Sequence, residues 1–205
     1  MTRPRVSAVE RLRMLPDLFR GADLTVRCQM DSKTASQYLY LWQRRGLVQG
    51  LGGHTDVWAN LLTTRHPDWE RALRMVMPTA VVVGIEALRR AGWTTQIPQR
   101  PTVAVNARQR RYQTDPYQID PRGMKWFKAS APGIVRARQD HLPTLAPAWA
   151  LADLLRQEDW GAFGLQRDDI EWEQLTASDE AQWDAACTAY GLPACPLGSL
   201  AVRSR

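Results

Sequence analysis

Hydrophobic and polar positions follow two different periods along the first third of this 205-residue chain. In "DSKTASQYLYLWQRRGLV", residues 31–48, helical spacing puts Ala35, Tyr38, Leu39 and Trp42 on one face. Lys33, Ser36, Gln37, Tyr40 and Arg44 gather on the other. The spacing predicts an amphipathic helix over residues 32–45. Asp31 or Ser32 suits its N-cap, where a side-chain oxygen accepts from free backbone N–H groups. Gly46 suits the position after its C-cap, where left-handed backbone is cheap. Upstream, "SAVERLRMLPDLF" predicts a first helix with Val9, Leu12 and Leu15 facing inward. "GADLTVRCQM" predicts a short second helix opening after Gly21, with Asp23 near its N-cap. Downstream, "GLVQGLGGHTDVWANL" alternates apolar and polar residues on both sides of Gly52 and Gly53, which predicts a hairpin. Three helices followed by a hairpin form a winged helix-turn-helix, with residues 32–45 as recognition helix.

The pattern then changes. "HPDWERALRMVMPTAVVVGIEALRRAGW" predicts a helix with Pro67 in its first turn and Trp69, Leu73 and Val76 along one side. Pro78 breaks it, and it resumes through Ile85 and Leu88 to Gly92. "TVAVNA", "YQID", "MKWFKAS" and "GIVRAR" read as strands separated by Pro, Asp and Gly. "PAWALADLLRQ" predicts an amphipathic helix from Pro147. "SDEAQWDAACTAYGL" predicts another, with Ser178 as N-cap and acidic residues in its first turn. The tail after Pro193 reads as loose. The fold class is therefore α+β. Residues 1–65 form the winged helix, and residues 66–205 form a mixed α/β domain with a small, mostly antiparallel sheet and C-terminal helices.

Composition adds less than charge. The 44% hydrophobic and 23% charged fractions are those of a globular protein. The N-terminus, "MTRPRVSAVERLRML", lacks the apolar run of a secretory signal. The stretch "MVMPTAVVVGIEAL" is too short to span a bilayer, so no membrane partner is expected. Cys28, Cys187 and Cys195 have no metal-type spacing and read as small buried hydrophobes. A cytoplasmic protein is expected. The net charge of +6 is unevenly spread. Residues 1–65 carry a net +5, residues 66–140 a net +7 and residues 141–205 a net −6. A basic body with an acidic end points to a polyanion partner for the first two thirds.

On DNA, each basic or polar residue of the first domain would have a role. Ser32, Lys33, Ser36, Gln37 and Tyr40 would face the major groove, where Gln37 can pair bidentately with adenine. Arg27, Arg44 and Arg45 would meet phosphates, which position a protein without reading sequence. Arg3 and Arg5, beside Pro4 on an N-terminal arm, would reach a minor groove or phosphates. His54 sits at the wing tip near the backbone, or is simply an exposed turn histidine. In the second domain, Arg108, Arg110, Arg111, Arg122, Lys125, Lys128, Arg136 and Arg138 lie in or beside the strand segments. Tyr112, Tyr117, Trp126 and Phe127 are interleaved with them. Arginines beside exposed aromatics bind phosphates and stack bases. The strand setting favours the other reading, in which the aromatics are sheet core.

The order of the winged helix, "EALRRAGW", "PTVAVNARQRRY", a strand-rich basic stretch and "PAWALADLL" resembles the AbiEi family of antitoxins. The likeness covers roughly residues 7 to 160. It rests on the wing pattern, the helix-into-"TVAV" junction and the Ala-Leu-Ala-Asp-Leu-Leu helix of residues 150–155. The likeness does not extend to roughly the last 45 residues, which are acidic and carry tryptophans. The resemblance implies an antitoxin of a type IV toxin–antitoxin pair linked to phage defence. Such a protein represses its own promoter at repeated double-stranded DNA sites. It also counteracts a nucleotidyltransferase toxin without a stable complex.

An enzyme would need a constellation that the sequence lacks. His54, His66 and His141 lie far apart, and no Gly-rich phosphate loop, HExxH or nucleophile elbow is present. Asp153 in "ALADLL" is expected on the solvent side or paired with an arginine of the basic region. "QRDDIEWE" reads as a solvated charge run. No catalytic residue, cofactor or metal is expected. The alternative to the antitoxin is a stand-alone winged-helix regulator whose C-terminal domain binds a small ligand or a protein partner. A third reading is a module that neutralises a basic partner by direct contact through its acidic end.

Overall fold

The computed structural model describes residues 7–53, 55–107, 114–136, 141–157, 160–161 and 164–201. The chain divides into two compact units, Met1–Pro78 with Gln113–Pro116, and Thr79–Tyr112 with Tyr117–Arg205.

In the first unit, Ser7 opens helix α1 (Ala8–Arg13) through a reciprocal cap. Its hydroxyl accepts from the Glu10 N–H at 3.2 Å, and its own N–H donates to the Glu10 carboxylate at 2.8 Å. Leu12 and Leu15 are buried as expected, but Val9 is exposed. The helix is only six residues long and turns just its C-terminal end to the core. The carbonyls freed there are not wasted. The buried Asn60 amide donates to Leu12 O at 2.9 Å and Leu15 O at 3.2 Å.

Leu18 and Phe19, expected to prolong that helix, instead form strand β1 (Leu18–Arg20) beyond Pro16. Helix α2 (Gly21–Arg27) follows at once, with Asp23 accepting from the Arg20 N–H at 2.7 Å. Asp56, just before the last hairpin strand, also caps α2 by accepting from the Gly21 N–H at 3.0 Å. A Cβ at position 21 would meet that carboxylate and make the Asp56 side chain shift. Helix α3 (Ser32–Arg44) precedes the hairpin of β2 (Val48–Gly50) and β3 (Val57–Asn60). β3 pairs antiparallel with both β2 and β1, giving a three-stranded sheet in the order β1-β3-β2. Leu12, Phe19, Leu24, Leu39, Trp42 and Val48 share one core. Each large side chain buried there stabilises the unit by about 1.5–3 kcal/mol. Helix α4 (Trp69–Val76) closes the unit. Asp68 is its N-cap, which leaves Pro67 outside the first turn.

The second unit opens with a strand that the valine run conceals. β4 (Val81–Val83) is buried throughout and leads directly into α5 (Gly84–Arg90). The helix that breaks at Pro78 therefore does not resume until Gly84. β5 (Thr102–Asn106) and β6 (Gln118–Arg122) follow as expected. Residues 124–130 do not form a strand. They form helix α6 (Met124–Ser130), capped by Gly123. β7 (Ile134–Val135), β8 (Thr144–Leu145), α7 (Pro147–Gln157) and α8 (Ala177–Tyr190) complete the unit. The sheet order is β6-β5-β4-β8-β7. β4 pairs antiparallel with β5 and parallel with β8; β5–β6 is parallel and β7–β8 antiparallel. The sheet is mixed rather than mostly antiparallel. Pro121 sits in β6, an edge strand, where a missing N–H is tolerated.

Helix α7 lies against α5 and α8, and Trp149, Leu151, Trp183 and Leu197 are buried in the shared core. Leu197 belongs to a short 3-10 turn, Leu197–Ala201, and its burial anchors the described residues beyond Pro193, a tail that reads as loose in the sequence. The cap of α8 is Thr176 rather than Ser178. All three cysteines are free, and burial pushes the Cys187 thiol up to about 11. Among the described residues, no helix is long and apolar enough to cross a membrane.

Candidate nucleic-acid interface

Helix α3 is fixed at both ends by side chains the sequence supplies. Asp31 accepts from the Thr34 N–H at 2.9 Å and from the Thr34 hydroxyl at 2.7 Å. Those bonds hold the Asp31 carboxyl below its ordinary range. After the Arg45 C-cap, Gly46 adopts φ +64°, the left-handed conformation that ends the helix. Ala35, Leu39 and Trp42 point into the core and Tyr38 is half-buried, its ring edge-on to Trp42.

That anchoring leaves Ser32, Lys33, Ser36, Gln37, Tyr40, Arg44 and Arg45 exposed. The spacing of Lys33, Gln37, Tyr40 and Arg44 sets them in one stripe along the helix. The Arg44 guanidinium lies 5.7 Å from the Tyr40 ring centroid, which stiffens both side chains at the C-terminal end of the stripe. The Ser36 hydroxyl donates back to Ser32 O at 2.9 Å and keeps its lone pairs for a partner. Arg27, on α2, is exposed but pairs with Asp23 at 3.8 Å, so its charge is partly answered within its own helix. Leu41 is 48% exposed beside the stripe, one turn beyond Gln37. The sequence reading passed over it because an apolar residue on an amphipathic helix is normally counted with the core. Arg3, Arg5 and His54 lie outside the described residues.

The basic residues of the second unit divide differently. Lys125 and Lys128 are exposed on α6, and Arg136 is exposed after β7. Arg108, Arg110, Arg111 and Arg138 lie outside the described residues, as does Tyr112. Arg122 is no free surface cation. Its guanidinium bonds Asp120 at 2.7 Å and Asp153 at 3.3 Å, with only 12% of its side chain exposed. Tyr117 and Trp126 are buried and Phe127 is half-buried, which places these aromatics in the core instead of on a stacking surface.

Asp153 is the centre of this cluster. It is 2% exposed, so it is not on the solvent side; it pairs with Arg122 of the basic region, and also with Arg156 of its own helix. One carboxylate oxygen accepts from Trp126 Nε1 at 2.8 Å and Arg156 Nη2 at 3.1 Å. The other accepts from Arg122 Nη2 at 3.3 Å and Gln157 Nε2 at 3.2 Å. Four donors on one buried carboxylate satisfy it fully. Nearby, the Tyr190 hydroxyl meets Ser130 Oγ at 2.7 Å, and burial pushes its pKa up to about 12.

No protein-family model matches the chain, and no curated protein matches it.

Proposed function

We propose that the first unit is a winged helix-turn-helix that binds double-stranded promoter DNA, with α3 in the major groove. The observation that carries this reading is the two-sided α3. Its Ala35, Leu39 and Trp42 are sunk in a core, while Lys33, Gln37, Tyr40 and Arg44 are presented in a row. Gln37 and Lys33 have the donors and acceptors that read base edges, and Leu41 suits a thymine methyl group. Arg44 and Arg45 at the helix end suit phosphates. The antiparallel β2–β3 hairpin takes the part of the wing.

The likeness to AbiEi antitoxins extends the proposal to the whole protein. It is then the autorepressing antitoxin of a type IV pair, acting in the cytoplasm, and its second unit counteracts a nucleotidyltransferase toxin without a stable complex. The exposed Lys125, Lys128 and Arg136 support a polyanion-facing second unit, and nothing in the site calls for catalysis.

The test is a salt-titrated binding assay of the protein on its own upstream promoter and on a scrambled duplex. Tight, specific binding with a steep salt dependence is expected. Replacing Lys33 and Gln37 by Ala should narrow the gap between the two duplexes. Replacing Arg44 and Arg45 should weaken both equally and lower the log–log salt slope by about 0.9 per lost phosphate contact. Weak binding that is equal on both duplexes would sink the DNA-binding reading.

A further inference from the structure

A cavity of about 400 Å³ opens within the second unit, and its floor is the Asp120–Arg122–Asp153 cluster. That volume lies in the range of small-molecule sites. The floor is rigid before any ligand arrives, because Asp153 is held by four donors and Arg122 is shared between two carboxylates. Burying such charges is costly, and a dry core of apolar side chains would have been at least as stable. Here the ion cluster faces a cavity instead of filling the core.

Asp120, Arg122 and Asp153 on this wall are tied up with one another, and Arg156 beside the cavity adds a second cation on Asp153. Arg122 and Arg156 answer Asp120 and Asp153. Arg100, also lining the cavity, makes no ion pair with any described residue. Its exposed guanidinium is therefore unanswered among the described residues. The amide side chains of Gln99 and Gln118 face the same space and can donate or accept. Ile97, at the rim, is 83% exposed, an apolar side chain left in water beside a polar cavity.

We propose that this cavity binds a small organic anion. Arg100 holds its carboxylate or phosphate, the glutamine amides meet its polar groups, and its apolar part covers Ile97. A guanidinium matches either acid in a two-pronged bond, so the two sources of the anion are separated by experiment.

The full chain, without DNA, is titrated by calorimetry with adenosine 5′-monophosphate for the phosphate, N-acetylphenylalanine for the carboxylate, and uncharged adenosine. Saturable binding of at least one anion is expected, with adenosine far weaker. Arg100→Ala should cost that anion about 10- to 100-fold in affinity, while Arg136→Ala leaves it unchanged. Asp120→Asn should act in the opposite direction and tighten binding, because it removes a negative charge from the cavity lining; mere damage to the fold cannot do this. Thermal melts of each variant confirm that it is folded. The proposal is overturned if neither anion saturates by about 10 mM, if adenosine binds as well as its monophosphate with no carboxylate binding, or if Arg100→Ala binds like wild type. None of these outcomes touches the DNA-binding reading, which is measured on another unit with another ligand.

Discussion

At Glu86 two effects of opposite sign act on one carboxyl. Burial alone would raise its pKa, since only 4% of the residue is exposed. Hydrogen bonds from Arg89 and Arg90, each at 2.8 Å, and the charges of both guanidiniums outweigh it and hold the pKa below the ordinary 4.5. A depressed pKa in the folded state contributes stability that is complete above the unfolded value and lost as pH falls through the folded one. Glu86→Gln should therefore cost about 1–3 kcal/mol near neutrality, and the gap to wild type should close on acidification below 4.5. Urea midpoints of both proteins across that range check it; a gap constant with pH would mean the charge is not what matters. Asp153 makes a sharper case. Asp153→Ala takes one of two carboxylate partners from the largely buried Arg122 and leaves the Trp126 N–H unpaired, for an expected loss of about 1.5–3 kcal/mol in chemical denaturation. A loss below about 1 kcal/mol would show that water reaches the cluster freely. The sequence made a pairing with arginine one of two options for Asp153, because helical spacing alone does not say which neighbours cover α7. Gln157 sits one turn on in α7 and is within reach by helical spacing. Trp126 gave no local signal, and reaches Asp153 only because α6 and α7 meet in space.

Elements were legible where a cap or a long period marks them, and misread where the apolar run was short. Asp31 and Gly46 bracket α3 in the sequence and in the structure alike. Over residues 124–130, the strand reading pairs Met124 with Trp126 and Lys128 on one face. In the structure Trp126 and Ser130 are buried together, one helical turn apart, while Met124 and Lys128 are exposed. Seven residues cannot separate the two periods unaided. For β4 the three consecutive valines were the available signal, since a central strand is apolar on both faces and shows no alternation. The start of α8 provides a direct test. Thr176 accepts from the Asp179 N–H at 3.3 Å, and Asp179 returns the bond by accepting from the Thr176 N–H at 2.9 Å. Thr176→Ala should destabilise the unit by about 1 kcal/mol and Ser178→Ala by no more than a few tenths, as befits an exposed residue inside the first turn. Equal effects of the two substitutions in a denaturant melt would refute this assignment of the cap.

For the whole molecule, chain order and compact units do not coincide. The chain leaves the first unit at Pro78, but residues Gln113–Pro116, which lie between β5 and β6, belong to the first unit. There Thr114, 1% exposed, bridges Gly52, and the Asp115 N–H donates to Leu51 O at 3.3 Å. Leu51 in turn donates to Val57 O at 3.0 Å across the hairpin. The hairpin assigned here as the wing is thus completed by a segment some sixty positions further along, which no local pattern in "RYQTDPYQ" announces. A chain ended at Pro78 keeps the core of Leu12, Phe19, Leu24, Leu39 and Trp42 and the Leu51–Val57 bond, but loses the Thr114 bridge and the Asp115 bond. A backbone hydrogen bond is worth about 0.5–1.5 kcal/mol. The Leu51 amide should then exchange with solvent deuterons roughly two- to tenfold faster in the shortened chain than in the full one. Amides inside α3, such as Leu39, should change far less, because their bonds and packing lie within residues 1–78. If the hairpin carries DNA contacts, the shortened chain should also bind promoter DNA more weakly while keeping its preference over scrambled DNA, since α3 is intact. Equal protection of Leu51 in both chains would mean that residues 113–116 rest on the hairpin without stabilising it.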